Sequence, residues 1–340
     1  SEVREPLQLT WRELRRQVST LAKRLLDLGV QPGDRVVAYL PNTPEAVVAL
    51  LAAVSIGAVW SACSPDFGVS SVLDRFQQIK PKVLFAVDGY RYGGKTFDRS
   101  GEVKLITDGL PTLNTVIYLP YLQPDRRDSP LVGVLFWPDL LASEAAEEFS
   151  FEQVAFDHPL WIVYSSGTTG LPKGIVHGHG GMLLEQLKFQ TWHNNLGPDS
   201  CKLFFTTTGW IMFNLVLSAL CTGSAIVLYD GNPGYPDLET LWRLVQRYRV
   251  TYFGTSPTFV NTMIQKGISP KEKYDLNRLQ TIVCTGSPAT PEIFAWFYDN
   301  VKKDVWVAPL CGGTDVAAPF VGGVPLLPVY AGEMQAPCLG

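Results

Sequence analysis

160-LWIVYSSGTTGLPKGIVHGHGG-181 is the stretch on which the reading of this chain turns. Its apolar opening, 160-LWIVYSS-166, has the make-up of a buried strand. The chain then breaks at Gly167, Gly170 and Gly174, among the hydroxyls of Ser165, Ser166, Thr168 and Thr169 and a single lysine, Lys173. Glycine lets backbone approach a partner closely, and free N–H groups in such a loop form a concave anion site. Lys173 adds a point charge. These residues predict a phosphate-binding loop behind a strand. It is not a Walker A loop, because Lys173 lies between Pro172 and Gly174 rather than before Ser or Thr. It does not match G-x-G-x-x-G either.

Working outward, apolar runs recur every 20–25 residues or so, the rhythm of a parallel α/β sheet. Upstream strands are expected at 35-RVVAYL-40, 58-AVWSAC-63, 82-KVLFAV-87 and 115-TVIYLP-120. Downstream they are expected at 203-LFFTTT-208, 224-SAIVLYD-230, 250-VTYFGTS-256, 281-TIVCTG-286 and 305-VWVAPL-310. Thr10 and Glu13 form a T-x-x-E capping box before an amphipathic helix, and Gly29 suits the position just past its end. Thr43 and Pro44 open a second helix over residues 44–56, and a third is expected near residues 71–78. A weaker helix is expected before residue 115. Residues 121–158 are polar and acidic and read as a surface excursion between two halves, 1–158 and 159–340.

The chain has 340 residues, 46% apolar and 18% charged, within the ordinary range for soluble domains. A net charge of −4 excludes a general basic field for nucleic acid or anionic lipid, so any polyanion must be held locally. Six scattered cysteines without a C-x-x-C pair favour the reducing cytosol. The run 211-IMFNLVLSALCTGSAIVLY-229 is long enough to span a membrane, but its C-T-G-S interruption predicts a buried helix, turn and strand. His177-x-His179 lacks the neighbouring ligands zinc needs, and no G-x-S-x-G elbow marks a serine hydrolase. The two histidines are expected at a helix start behind the loop.

YSSGTTGLPKG resembles the phosphate-loop signature of the adenylate-forming superfamily, which includes acyl-CoA synthetases, luciferases and peptide-synthetase adenylation domains. SPDFG (64–68), GWIMFN (209–214), VLYDG (227–231), TGSP (285–288), GGTD (312–315) and LPVYAGEMQ (327–335) are similar to the acetoacetyl-CoA synthetase branch. The resemblance covers nearly the whole chain. It implies an α/β fold: the large N-terminal core of an adenylate-forming enzyme, with stacked, mostly parallel sheets and flanking helices. Family members continue past the position of Gly340 into a mobile lid, so the chain reads as an incomplete adenylation core without its C-terminal domain. On that reading it would bind ATP weakly and turn over little alone.

The implied chemistry is attack of a carboxylate on the ATP α-phosphate, then displacement of AMP by coenzyme A, with Mg²⁺ as the ion. Two like charges ~4 Å apart repel by about 1 kcal/mol in water and about 4 kcal/mol at an effective dielectric of 20. Cations and oriented dipoles must offset that. By resemblance, Ser165, Ser166, Gly167, Thr168, Thr169 and Gly170 hold the β- and γ-phosphates, and Lys173 neutralises departing pyrophosphate or orders the loop. Thr314 and Asp315 match the family's α-phosphate and metal pair, which is usually Thr-Glu. The shorter Asp315 predicts metal contact through water. Gly286, Ser287 and Pro288 align with the adenine turn, and Trp210, Ile211 and Met212 with the acyl pocket.

At Gly312 acetyl-CoA synthetases carry tryptophan, whose side chain buries roughly 150–250 Å². Glycine there, with Thr285 opposite, is expected to admit acetoacetate, and Gly312→Trp to turn preference toward acetate. Butyrate fits the same opening, so a short-chain acyl-CoA synthetase remains an alternative. A non-catalytic nucleotide-binding fragment is another.

Overall fold

The computed structural model describes residues 1–129, 131, 133–142, 149–165 and 170–339. It divides into two units, Ser1–Gly181 with Thr207–Trp210, and Met182–Thr206 with Ile211–Gly340.

In the first unit a seven-stranded sheet runs in the order Leu135–Phe136, Thr115–Leu119, Val83–Val87, Arg35–Tyr39, Val59–Cys63, Pro159–Ser165, Lys173–Gly178. All neighbours are parallel except the last pair, where Lys173–Gly178 returns antiparallel to Pro159–Ser165. The central strands are unbroken apolar runs because helices bury both faces. Val37, Tyr39, Leu84 and Ala86 pack with Val72 and Phe76 of the helix Val69–Ile79. Thr10 caps the helix Trp11–Asp27 by accepting from the Glu13 N–H at 3.2 Å. Glu13 does not complete the capping box in return; it accepts from Arg16 and Gln17 instead. The helix Pro44–Ser55 is apolar all round and correspondingly buried all round.

Two features of this unit depart from expectation. The weak helix expected before residue 115 is present, as Ser100–Asp108, but the chain ahead of it forms an unexpected hairpin of Gly89–Tyr92 and Lys95–Asp98. Its turn, Gly93-Gly94, has φ of 61° and 77°, the left-handed pair that a two-residue hairpin requires. Residues 121–158 are also more than a surface excursion. Leu135–Phe136 extends the sheet, and Trp137 is buried with its ring centroid 5.9 Å from that of Phe85. Two aromatic residues outweigh their polar surroundings, which a composition window averages away.

The second unit holds a five-stranded parallel sheet in the order Ala225–Val227, Cys201–Phe204, Tyr252–Thr255, Thr281–Cys284, Trp306–Val307. One face packs on the helices Thr240–Arg247, Pro257–Gln265 and Pro291–Asn300, with Trp242 against Phe253 at 4.8 Å between centroids. The other packs Phe204, Tyr252 and Val283 against Phe189, Leu215 and Val216. A small antiparallel sheet, Cys311–Gly313, Ala318–Gly322 and Ala336–Pro337, follows. Residues 211–229 form the helix Ile211–Leu217, the 3₁₀ turn Ser218–Thr222 and the strand Ala225–Val227, as the interrupted run predicts. No helix among the described residues is long and apolar enough to cross a membrane.

Candidate functional site

The glycine loop joins two antiparallel strands rather than a strand and a helix. Ser165 pairs with Lys173 and Tyr164 with Gly174, so Gly174 lies inside a strand and does not break the chain. Ser166, Gly167, Thr168 and Thr169 lie outside the described residues. Both feet of the loop are held by the helix Val69–Ile79. Tyr164 donates its hydroxyl to the Arg75 carbonyl at 3.0 Å, and the Gln78 amide donates to the Pro172 carbonyl at 2.8 Å. The Arg75 guanidinium lies 5.7 Å from the Tyr164 ring centroid and 5.0 Å from that of Phe67 in the SPDFG segment. Lys173 is exposed at the start of its strand, and Gly170 has φ +129°. Sequence reading missed Tyr164 and Gln78, whose partners are backbone carbonyls remote in the chain and leave no motif.

The histidines fall slightly differently from expectation. His179 is the first residue of the helix His179–Lys188, and its N–H donates to the His158 carbonyl. Burial and the neighbouring His158 push the His179 imidazole below its ordinary value. His177 belongs instead to the strand, buried, with its Nδ1 accepting from the Trp161 indole at 2.9 Å.

Trp210, 63% exposed, also belongs to the first unit, in a turn where its N–H donates to the Thr207 carbonyl. The preceding Gly209 packs on Phe67, and a Cβ there would come 2.8 Å from the ring.

In the second unit the TGSP segment lies at the carboxyl end of a parallel strand, the place where open α/β sheets bind ligands. Thr285, Gly286, Ser287 and Pro288 follow Thr281–Cys284 directly; Gly286 has φ +93°, and residues 286–288 are exposed. The Leu310 N–H donates to the Cys284 carbonyl at 3.0 Å. That bond sets the start of the GGTD segment beside the TGSP segment. Ile211 and Met212 open the helix Ile211–Leu217, half-buried against the core that contains Phe189 and Leu215.

Thr314 and Asp315 occupy the hairpin loop between Cys311–Gly313 and Ala318–Gly322. Ala317 closes the loop with φ +50°, its N–H donating to the Thr314 carbonyl at 3.3 Å. Gly312 faces Pro319 across the hairpin, next to a register shift. A Cβ on Gly312 would stand 2.2 Å from the Ala318 carbonyl oxygen and 2.7 Å from Pro319 Cα. Glycine is thus needed for the two strands to approach. Gly312→Trp would test hairpin closure as much as pocket size.

Gln335, the last residue of LPVYAGEMQ, ties the chain behind this hairpin. Its amide accepts from the Trp306 indole at 2.9 Å and from the Val324 N–H at 3.0 Å. It donates to the Leu327 carbonyl at 2.8 Å.

Comparison with known proteins bears on the family and the fold. The sequence pattern of the family described as AMP-binding enzyme matches residues 3–322. The chain is 43% identical to acetoacetyl-CoA synthetase of Mus musculus over 99% of its own length and 51% of the relative's. It is 42% identical to the acetoacetyl-coenzyme A synthetase of Rhizobium meliloti over 98% of this chain and 51% of that one. Among solved structures, an acetoacetyl-CoA synthetase from Streptomyces lividans superposes with TM-score 0.94 at 51% identity, over 99% of this chain and 52% of that chain. The chain therefore spans about half the length of the relatives it matches. With a loop between strand feet in one unit and the TGSP and GGTD segments side by side in the other, this chain belongs to the AMP-binding enzyme family.

Proposed function

We propose that this protein activates acetoacetate. The acid's carboxylate oxygen attacks the ATP α-phosphorus and expels pyrophosphate, giving acetoacetyl-adenylate. The sulfur of coenzyme A, losing its proton, then attacks the acyl carbon and expels AMP. The observation that carries the reading is the 51% identity and TM-score 0.94 to the S. lividans acetoacetyl-CoA synthetase over 99% of this chain. The six free cysteines support the cytosol as its compartment.

In this proposal Ser165, Gly170 and Lys173, with the intervening loop residues 166–169, hold the β- and γ-phosphates, and Lys173 meets the charge on departing pyrophosphate. Gly286, Ser287 and Pro288 flank the adenine; their exposed, open turn suits a flat base. Thr285, Gly312, Ile211, Met212 and Trp210 are the residues assigned to the acid. Thr314 donates to the α-phosphate and Asp315 serves a Mg²⁺ ion.

The donor set fits that ion. The described residues hold no group of three or more His, Cys, Asp and Glu arranged for a metal. Mg²⁺ is commonly held by one or two carboxylates, with water and substrate phosphates completing its octahedron. An exposed Asp315 in a hairpin loop suits such a site. When bound, the ion supplies positive charge to the phosphate oxygens.

Acid-dependent exchange of labelled pyrophosphate into ATP, run on the protein at its native length, tests the reading. Acetoacetate should support exchange, with butyrate slower and acetate slowest. Equal or better exchange with butyrate would replace acetoacetate by a general short acid, and no exchange with any acid would sink the proposal. Lys173→Ala should slow exchange about 10²-fold, the usual loss for one preorganised charge-stabilising group. A rate within a factor of two of the parent would remove Lys173 from the chemistry. A nonhydrolysable acyl-adenylate analogue at 100 times its dissociation constant should stabilise the fold by about 2.7 kcal/mol.

A further inference from the structure

The helix His179–Lys188 continues into one π-helical turn, Phe189–His193, and this segment turns several amide side chains into the second unit's core. Gln186 is 3% exposed, Gln190 0% and Asn194 3%. With Ser218, Lys202 and Tyr252 they form a continuous hydrogen-bonded network. Tyr252 donates to Asn194 Oδ1 at 3.1 Å, and Asn194 donates to Gln190 Oε1 at 2.9 Å. Lys202 donates to the same oxygen at 2.9 Å. Gln190 donates to Ser218 Oγ at 2.6 Å, and the Ser218 hydroxyl is shared between Gln186 Oε1 at 2.8 Å and the Leu215 carbonyl at 3.0 Å. The network ends where Gln186 Nε2 donates to the Ala317 carbonyl at 2.6 Å.

That endpoint is the loop carrying Thr314 and Asp315. Ala317 is fully buried and sits in the left-handed region, which a residue with a Cβ enters only under constraint. The loop's own closing bond, from the Ala317 N–H to the Thr314 carbonyl, is long at 3.3 Å. The Gln186 amide cannot turn over, because Ser218 donates to its oxygen and a flip would set that oxygen against the Ala317 carbonyl. Removing Gln186 leaves the rest of the network paired, since Ser218 still donates to the Leu215 carbonyl. The Ala317 carbonyl alone loses this partner.

We propose that Gln186 is a positioning residue for Thr314 and Asp315: its oriented amide, fixed by Ser218, grips the Ala317 carbonyl and holds the hairpin loop in the shape that presents both side chains to the nucleotide. The proposal rests on the reading of Thr314 and Asp315 given above. Gln186 itself touches no reacting atom. Errors of ~1 Å in placing such groups cost on the order of 10²-fold in rate.

The test compares Gln186→Met with Val245→Ala, which loosens a core position on the far face of the same unit's sheet, in the protein at its native length. Hydrogen exchange and acetoacetate-dependent pyrophosphate exchange are measured on both. Gln186→Met should accelerate amide exchange locally, over residues 314–318. It should also lower kcat about 10- to 100-fold and raise the Mg²⁺ needed for half-maximal rate, with KM for acetoacetate nearly unchanged. Val245→Ala should show none of these, even where its melting temperature falls as far. Unchanged amide exchange over residues 314–318 in Gln186→Met, or equal losses of kcat in the two variants, overturns the proposal. A parent protein without acid-dependent exchange would overturn the functional reading instead. Amide exchange then decides the positional claim alone: local acceleration supports it and its absence defeats it.

Discussion

Gly312→Ala is expected to destabilise the fold by about 1–3 kcal/mol and to abolish nearly all acid-dependent pyrophosphate exchange. In an ordinary strand the same change gains about 0.5–1 kcal/mol, because alanine loses less backbone freedom than glycine. Here the sign is reversed by the Ala318 carbonyl oxygen, 2.2 Å from the new methyl carbon, and by Pro319 Cα at 2.7 Å. Both obstacles are backbone atoms, so no side-chain rotation relieves them, and the hairpin must open or shift. Opening it moves Thr314 and Asp315, which follow within three residues. Urea unfolding and the exchange assay read the two effects together. An alanine variant as stable and active as the parent would show that the strands part without consequence, and pocket size alone would then account for the glycine.

Lys202→Met should have the opposite sign and stabilise the fold by about 1–4 kcal/mol, as found when buried charges give way to apolar side chains of similar volume. Lys202 is 1% exposed, and no carboxylate pairs with it among the described residues. Burial pushes its ammonium down from 10.5 to about 7. The Tyr252 ring, 4.8 Å from Nζ, softens the penalty without removing it. Methionine leaves no acceptor orphaned: Gln190 Oε1 keeps Asn194, and the Leu215 carbonyl keeps Gln190.

The pH dependence follows from linkage. Between about 7 and 10.5 the unfolded chain binds a proton that the folded chain does not, so parent stability rises with pH across that window. Below about 7 the penalty is present in full. The advantage of Lys202→Met should therefore be largest near pH 6 and should shrink steadily toward pH 10. Thermal unfolding of both proteins at pH 6, 8 and 10 checks this. A methionine variant less stable than the parent at pH 6 would mean that the amine contributes more through its hydrogen bonds than burial costs it.

The legible parts of this molecule are those whose causes are local in sequence. Strand positions at 35–39, 59–63, 83–87, 115–119 and 281–284 follow from β-branched apolar runs, and the Thr10 cap from side chains three residues apart. The hairpin at residues 89–98 carried a readable Gly-Gly turn, yet its flanking Tyr-Arg-Tyr and Lys-Thr-Phe stretches alternate too weakly to announce strands. The burial of Trp137 depends on Phe85, 52 positions away. The glycine loop of one unit and the TGSP and GGTD segments of the other were legible as motifs. Their supports, Tyr164, Gln78 and Gln186, were not, because each acts through a carbonyl contributed by a distant stretch of chain.

The amino-acid order alone settles the alternation of strands and helices, the glycine loop with Lys173 at its far foot, and the family resemblance, since these depend on spacing and residue chemistry along one stretch. Only the tertiary structure decides that the loop returns antiparallel rather than into a helix, that Gly312 is required by the approach of Ala318 and Pro319, and that a buried amide from residue 186 grips the turn at residue 317. Steric clearance and hydrogen-bond pairing are properties of atoms brought together from distant parts of the chain, and no periodicity in the sequence encodes which atoms will meet.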